Sequence, residues 1–288
     1  MQLTIEPTYT YLIPDVPTIA IALVGCGGTG SHIAQALARL AAHCRDTGGP
    51  RLDLAFIDGD IVEAKNVGRQ LFSVADIGRN KAQALAARFS AVFGLTIAAF
   101  PQMIDGTWAH RLNARQSYGI IVGAVDGAAG RRAIGDLLGG TWWRLWIDSG
   151  NHEHSGQVVV GSTRVTSQLR TSLTNGLCAA LPTAPLIYPE LLKDAPIRPR
   201  ADCAAAMHDN AQSLMVNQMM ASIVGQYLYQ IVIGRRLTTF RTVVDLASLT
   251  MRSDPITAAA LSAATGLTPA QLRGEAPSAP KKKGKNAA

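Results

Sequence analysis

The stretch IAIALVGCGGTGS, Ile19 to Ser31, restricts what this chain can fold into more than any other. Ile19 to Val24 is an unbroken apolar run, the mark of a strand buried on both faces of a parallel sheet. Gly25 stops it. Gly25, Gly27 and Gly30 follow in G-x-G-x-x-G spacing, with Gly28 inside the same turn, and Ser31 opens a segment whose Ile33, Leu37 and Leu40 share one helical face. A strand, a glycine turn and a helix in that order bring backbone N–H groups and the positive end of the helix dipole up to a phosphate with no side chain in between. The first expectation is a nucleotide. The next apolar run, Arg51 to Ile57, ends in Asp58, a carboxylate that can accept hydrogen bonds from ribose hydroxyls.

The same alternation continues. Thr96 to Phe100, Gly119 to Val125 and Arg144 to Asp148 read as further strands, with helices starting at Lys81 and at Ala128. The expected fold is α/β: a Rossmann-like, doubly wound, mostly parallel sheet with helices on both faces, plus a Pro-rich crossover segment. Asp58, Asp126 and Asp148 are expected at the carboxyl ends of strands, where such sheets bind ligands. Residues 1–18 read as an extended lead-in, 19–162 as the nucleotide-binding half and 163–202 as a crossover or lid. Residues 203–273 supply a helix from about Asp209 to Ile233 and a strand near Phe240 to Leu246 that complete the same domain. Residues 274–288 read as a disordered Lys-rich tail.

At 288 residues and 48% hydrophobic, the chain can build a full core. Of the +7 net charge, Lys281, Lys282, Lys283 and Lys285 supply four, so the body is only mildly basic. Nucleic-acid binding is not indicated beyond weak contacts of that tail. Cys26, Cys44, Cys178 and Cys203 form no C-x-x-C pair, which fits reduced thiols in the cytoplasm and excludes a paired-cysteine zinc site. The N-terminus lacks the layout of a signal peptide, and Asn217, Gln218, Gln226 and Gln230 interrupt the apolar stretch Ser213 to Ile233, so no membrane span is expected.

After the glycine turn come DGD at Asp58 to Asp60, N-x-x-RQ-x-F from Asn66, DIGRNKA through Lys81, a strand ending in Asp126 with Arg131 close behind, then IDSG and GQV. In this order the motifs resemble the ThiF/MoeB/HesA superfamily, the adenylating fold of ubiquitin-activating enzymes. The likeness runs from about Ile19 to Val160 and resumes at Cys203 to Ile233. Within it the chain looks most like the ThiF-related proteins of the plasmid-borne PRTRC cassette. The resemblance implies ATP and Mg²⁺ as cofactors, with residues 19–162 as the adenylation half. It implies that Asp58 holds the ribose, that Asn66, Arg69 and Lys81 hold the phosphates, and that Asp126 binds Mg²⁺. Gly25, Gly27, Gly28, Gly30, Asp60 and Gln70 belong to the same cofactor site, and Arg69 and Lys81 act as catalytic cations. The implied reaction is attack of a carboxylate on the α-phosphate. The implied partners are a small ubiquitin-like (β-grasp) protein and a second copy in a homodimer.

The residues agree with an ATP site, which needs a ribose acceptor, cations for phosphates and a carboxylate for magnesium. A nicotinamide site needs no such cation cluster. Other readings stay open at this stage. Arg69 and Lys81 could be solvated surface charges, and Asp126 could cap the next helix. Asp148 could simply orient a loop. Cys203 falls where relatives carry a thioester-forming cysteine, with Cys178 as runner-up; Cys26 and Cys44 read as packing residues. His152-Glu153-His154 reads as an exposed turn. The alternatives in function are adenylation of a small molecule, peptide or tRNA base, an NAD-dependent oxidoreductase, and a non-catalytic nucleotide-binding component of a plasmid-maintenance complex. Residues 1–18 carry no match to the family's N-terminal arginine segment.

Overall fold

The computed structural model describes residues 6–105, 118–138, 142–194 and 214–275. In chain order these form β1 (Tyr11–Leu12), β2 (Thr18–Val24), α1 (Gly28–Thr47), β3 (Arg51–Ile57), α2 (Lys81–Phe93), β4 (Ile97–Phe100), β5 (Tyr118–Gly123), α3 (Ala128–Leu137), β6 (Trp143–Asn151) and β7 (Ser155–Gly161). Then follow α4 (Thr166–Leu169), β8 (Leu173–Thr174), β9 (Leu177–Cys178), α5 (Ala184–Ile187), α6 (Leu214–Val232), β10 (Arg236–Leu237), β11 (Thr239–Asp245), β12 (Thr250–Pro255), α7 (Ala258–Thr265) and α8 (Pro269–Arg273).

Eight strands make one sheet in the order β12-β11-β7-β6-β5-β2-β3-β4. The β4-β3-β2-β5-β6 part is parallel, and β7, β11 and β12 extend it in antiparallel fashion. β2 has β3 on one side and β5 on the other, so the winding reverses at the β2/β5 junction.

The period-2 alternation of β2 explains the two layers. Ile19, Ile21 and Leu23 face a large core shared with Ile33 and Leu37 of α1, Leu85 of α2 and Val224 and Leu228 of α6. Ala22 and Val24 face the other way, into a smaller core with Ile134 and Leu137 of α3 and with Trp143 and Trp146. Ile33 and Leu37 have no exposed surface, a burial worth about 1.5–3 kcal/mol for each side chain.

Several boundaries differ from the sequence reading. β6 does not end at Asp148 but runs on to Asn151, because its last residues pair with β7 through Asn151 and Gly156. β5 stops at Gly123, which leaves Asp126 in the connection to α3. Of the expected crossover or lid, residues 163–194 pack into the main body, and 195–202 lie outside the described residues. Leu169, Leu173, Leu181 and Ala184 are buried in the main body, and a β8–β9 hairpin is held beside β1 by the Cys178 amide bonding to the Thr10 carbonyl. Residues 203–213, with Cys203 and the expected start of the long helix, lie outside the described residues, as do 276–288 of the tail. Among the described residues no helix is long and apolar enough to cross a membrane.

Candidate active site

A cavity of about 680 Å³ opens at the carboxyl ends of β2, β3 and β5, where the strand order reverses. It gathers Gly25, Gly27, Gly28, Asp58, Asp60, Asn66, Arg69, Gln70, Lys81 and Asp126, together with Gln102, Met103 and Asn217.

The glycine turn forms the wall nearest the sheet. Gly25 has φ +89°, and a Cβ there would stand 2.4 Å from the Ala124 carbonyl oxygen. A Cβ on Gly30 would stand 1.9 Å from the Gly25 carbonyl oxygen, so Gly30 lets α1 pack on the turn and does not line the cavity. At Gly27 a Cβ would meet nothing within 4 Å and would project into open space. Gly27 and Gly127 are the N-caps of α1 and α3, neither end has a side-chain cap, and both residues line the cavity. Two helix N-termini thus offer uncapped amides to an anion. Asp126 does not cap α3.

Asp58 follows β3. Its Oδ2 accepts from the Cys26 amide at 2.6 Å and its Oδ1 from the Asp60 amide at 2.8 Å, which fixes the carboxylate at the cavity edge. Burial pushes the Asp58 carboxyl above the usual range, opposed by those two amides and by the Lys81 charge. Asn80, the N-cap of α2, donates to the carbonyls of Asp58 at 2.7 Å and Asp60 at 2.9 Å and accepts from the Gln83 amide. This clamps the helix start to the loop. Lys81 follows, its stem buried and its Nζ 3.0 Å from Asp60 Oδ2. Asp60 therefore orients the ammonium.

The segment from Asn66 to Gln70 covers the other side. Asn66 is buried and its Oδ1 accepts from the Glu63 amide at 2.9 Å. Ser31 of α1 donates to the Gly28 carbonyl and accepts from the Leu71 amide, each at 3.0 Å, which ties this segment to the glycine turn. Behind it Arg88 bridges the Leu71 carbonyl and Asp76. Arg69 Nε and Gln70 Oε1 are shielded from solvent and have no hydrogen-bond partner. Orphaned polar atoms on the wall of a cavity are what a site built for a polar ligand leaves behind.

Asp126 is exposed in the connection after β5. Arg131 Nη1 donates to its carbonyl at 3.4 Å, and Arg131 Nε donates to Asp148 Oδ1 at 3.1 Å in a buried pair. Burial pushes Asp148 up and Arg131 opposes that shift. Asp148 lies off the cavity, and its contact with Arg131 makes it a support for the Asp126 loop. Lys65, Arg69 and Lys81 face Asp58, Asp60, Glu63 and Asp126 in the lining, so the acidic groups are in excess. A polyphosphate is compatible with that surplus when a divalent cation accompanies it. One carboxylate at Asp126 suits Mg²⁺, which takes most of its other ligands from phosphates and water.

Asn217 lines the cavity at a place that the motifs did not reveal. In the first turns of α6, it accepts at Oδ1 from Thr29 Oγ1 at 2.9 Å and from Asn151 Nδ2 at 2.7 Å, and its amide packs directly on Gly28. Its only trace in the sequence is a polar residue breaking an apolar helix.

The remaining candidates are not brought together. Cys178, the second choice for a thioester, is buried, donates to the Ala180 carbonyl at 3.1 Å and has its thiol pushed up to about 12 by burial, which makes it a poor nucleophile. Cys26 and Cys44 are buried packing residues. His154 pairs with its neighbour Glu153 on the surface, and among the described residues no cluster of metal ligands forms. Cys203 lies outside the described residues.

A model of the ThiF family matches residues 15–265. The chain belongs to the ThiF family. Its ThiF sequence is 32% identical over 119 residues to the mouse adenylyltransferase and sulfurtransferase MOCS3, covering 41% of this chain and 24% of that protein. It is 36% identical over 108 residues to the ATP-dependent ubiquitin transferase-like protein Cap2 of Escherichia coli, covering 36% of this chain and 17% of that one. The chain therefore spans less than a quarter of either curated relative. Among solved structures the ThiF fold superposes on PaaA with a TM-score of 0.55 at 19% identity, covering 83% of this chain and 64% of that one. E. coli MccB with ATP gives 0.53 at 16% identity, with the same two coverages, 83% and 64%.

Proposed function

We propose that this ThiF-family protein uses ATP and Mg²⁺ to adenylate the C-terminal carboxylate of a small ubiquitin-like or sulfur-carrier protein of the β-grasp kind. The observation that carries the reading is the orphaned Arg69 Nε and Gln70 Oε1, which share one cavity with the fixed carboxylate of Asp58, the Lys81 ammonium, two uncapped helix N-termini and the exposed Asp126. An adenylating activity named for MOCS3 and ATP bound to MccB support it.

In this reading Asp58 accepts from the ribose hydroxyls. The glycine-turn amides, Asn66, Arg69 and Lys81 hold the phosphates, and Asp126 would hold the Mg²⁺. The metal, when bound, neutralises phosphate charge. The acceptor carboxylate is already ionised, so no side chain has to remove a proton. Its oxygen bonds to the α-phosphorus as the bond to pyrophosphate breaks, and pyrophosphate leaves with the electron pair. The protein contributes positioning and charge stabilisation by Arg69 and Lys81. Cys203 is the proposed site of a following step, in which its thiolate attacks the acyl carbon, a thioester forms and AMP departs.

The test is exchange of labelled pyrophosphate into ATP by the purified protein, with and without candidate β-grasp proteins, comparing wild type with Asp126→Ala. Exchange that requires both a partner and Asp126 is the expected result. Tight ATP binding with no exchange for any carboxylate acceptor, protein or peptide, would favour a nucleotide-binding assembly component instead.

A further inference from the structure

A second cavity, about 280 Å³, lies at the opposite end of the sheet and is lined by Tyr11, Tyr118, Arg144, Ser162, Thr163 and Gln168 among others. Tyr118 is the first residue of β5 and Arg144 the second of β6. Ser162 follows β7, which runs antiparallel to β6. The cavity is therefore at the amino ends of the parallel strands, remote from the glycine turn.

Tyr118 is nine-tenths buried, with 9% of its surface exposed, and its hydroxyl is closed off from solvent with the Tyr11 hydroxyl as its hydrogen-bonding neighbour. The Tyr11 hydroxyl is near enough to perturb it and interacts with Ser162 as well. Ser162 Oγ accepts from the Leu181 amide at 2.9 Å, and Thr163 Oγ1 is taken up by the Val165 amide at 3.0 Å and Gln168 Oε1 at 2.5 Å. Arg144 is exposed at the rim and has no ion-pair partner among the described residues, while its charge acts on both phenols. Burial pushes both phenols up, so both stay protonated at any working pH. The lining presents hydroxyls and, at its rim, a guanidinium, and contains no carboxylate. A buried hydroxyl pair beside a guanidinium with no ion-pair partner among the described residues, in a lining without carboxylates, suits an acceptor of negative charge. The volume is below that of a typical small-molecule site.

We propose that this cavity binds a small oxyanion, a phosphate or carboxylate group, seated between the Arg144 guanidinium and the Tyr118 hydroxyl. It is a site separate from the nucleotide cavity and does not depend on the adenylation reading.

The test uses the full chain labelled with [¹³Cζ]tyrosine, in which Tyr118 is identified among six tyrosines by loss of its signal in Tyr118→Phe. Inorganic phosphate and acetate are titrated separately, with chloride balancing the ionic strength. The expected result is a saturable shift of the Tyr118 resonance with at least one of the two. The two arms tell phosphate from carboxylate selectivity. Arg144→Gln should weaken that affinity about tenfold or more, and Arg144→Lys should recover part of it. Phosphate entering the nucleotide cavity leaves Tyr118 unmoved. A linear response or none with both anions, or an undiminished response in a folded Arg144→Gln protein, overturns the proposal.

Discussion

Arg131 Nε lies 3.1 Å from Asp148 Oδ1, with 6% and 1% of the two side chains exposed, and the same guanidinium reaches the Asp126 carbonyl. Removing Asp148 alone strands a buried positive charge. Asp148→Ala should therefore lose about 3–5 kcal/mol of stability in urea unfolding. The double change Arg131→Met with Asp148→Leu should recover most of it. If Asp148→Ala melts like wild type, the pair is not what holds this loop.

Lys81 should matter more for chemistry than for folding. Its stem packs at the start of α2, so Lys81→Met keeps most of the apolar contact while deleting the charge. Pyrophosphate exchange should fall by roughly 100- to 1,000-fold, the usual cost of one charge-stabilising donor. The melting temperature should barely move. Asp60→Asn, which releases the ammonium held at 3.0 Å, should lower exchange less than Lys81→Met does.

The raised carboxyl of Asp58 sets a pH window. Burial is the main cause, so Asp58 takes up a proton at a higher pH than an ordinary aspartate as the solution is acidified. ATP affinity measured by calorimetry should decline as pH falls through that raised value. Asp58→Asn should bind weakly and show no such decline. The sign for stability is opposite. A carboxyl raised in the folded state costs the fold least when protonated, so this group does not drive unfolding over the window in which affinity is lost. Circular dichroism at each pH separates the two effects.

Gly27 and Gly30 of the turn should fail differently. Gly30→Ala drives a Cβ to within 1.9 Å of a backbone oxygen and should destabilise the fold by about 1–3 kcal/mol. Gly27→Ala meets nothing within 4 Å and should fold normally while binding ATP more weakly. Equal stability loss in both variants would contradict this division.

Much of the candidate ATP cavity is legible in the sequence because its parts are local. An apolar run stopped by Gly25, a carboxylate after the next strand and a lysine opening a helix each follow from short-range backbone rules, and β2 to β3 obey them in a single crossover. Asn217 was not legible, since its place under Gly28 depends on α6 lying across α1, a tertiary fact with no sequence period. Nor was β12: in TMRSDP five of six residues are exposed, so no hydrophobic alternation marks it as a strand. Asp148 was misread as a strand end because the pairing that continues β6 comes from β7, beyond the motif itself. The segment 163–194 hid its packing because its anchors, Leu169, Leu173, Leu181 and Ala184, are spread over elements too short to show a repeat.

The clamp that Asn80 places on the Asp58 and Asp60 carbonyls, with Ser31 holding the Leu71 amide, has a kinetic meaning. Loops that must organise around each arriving molecule lose conformational entropy at every encounter. In the segments so held that loss occurs once, when the chain folds. If the cavity takes ATP as proposed, these walls are already in place when it arrives, and binding does not have to repeat their ordering.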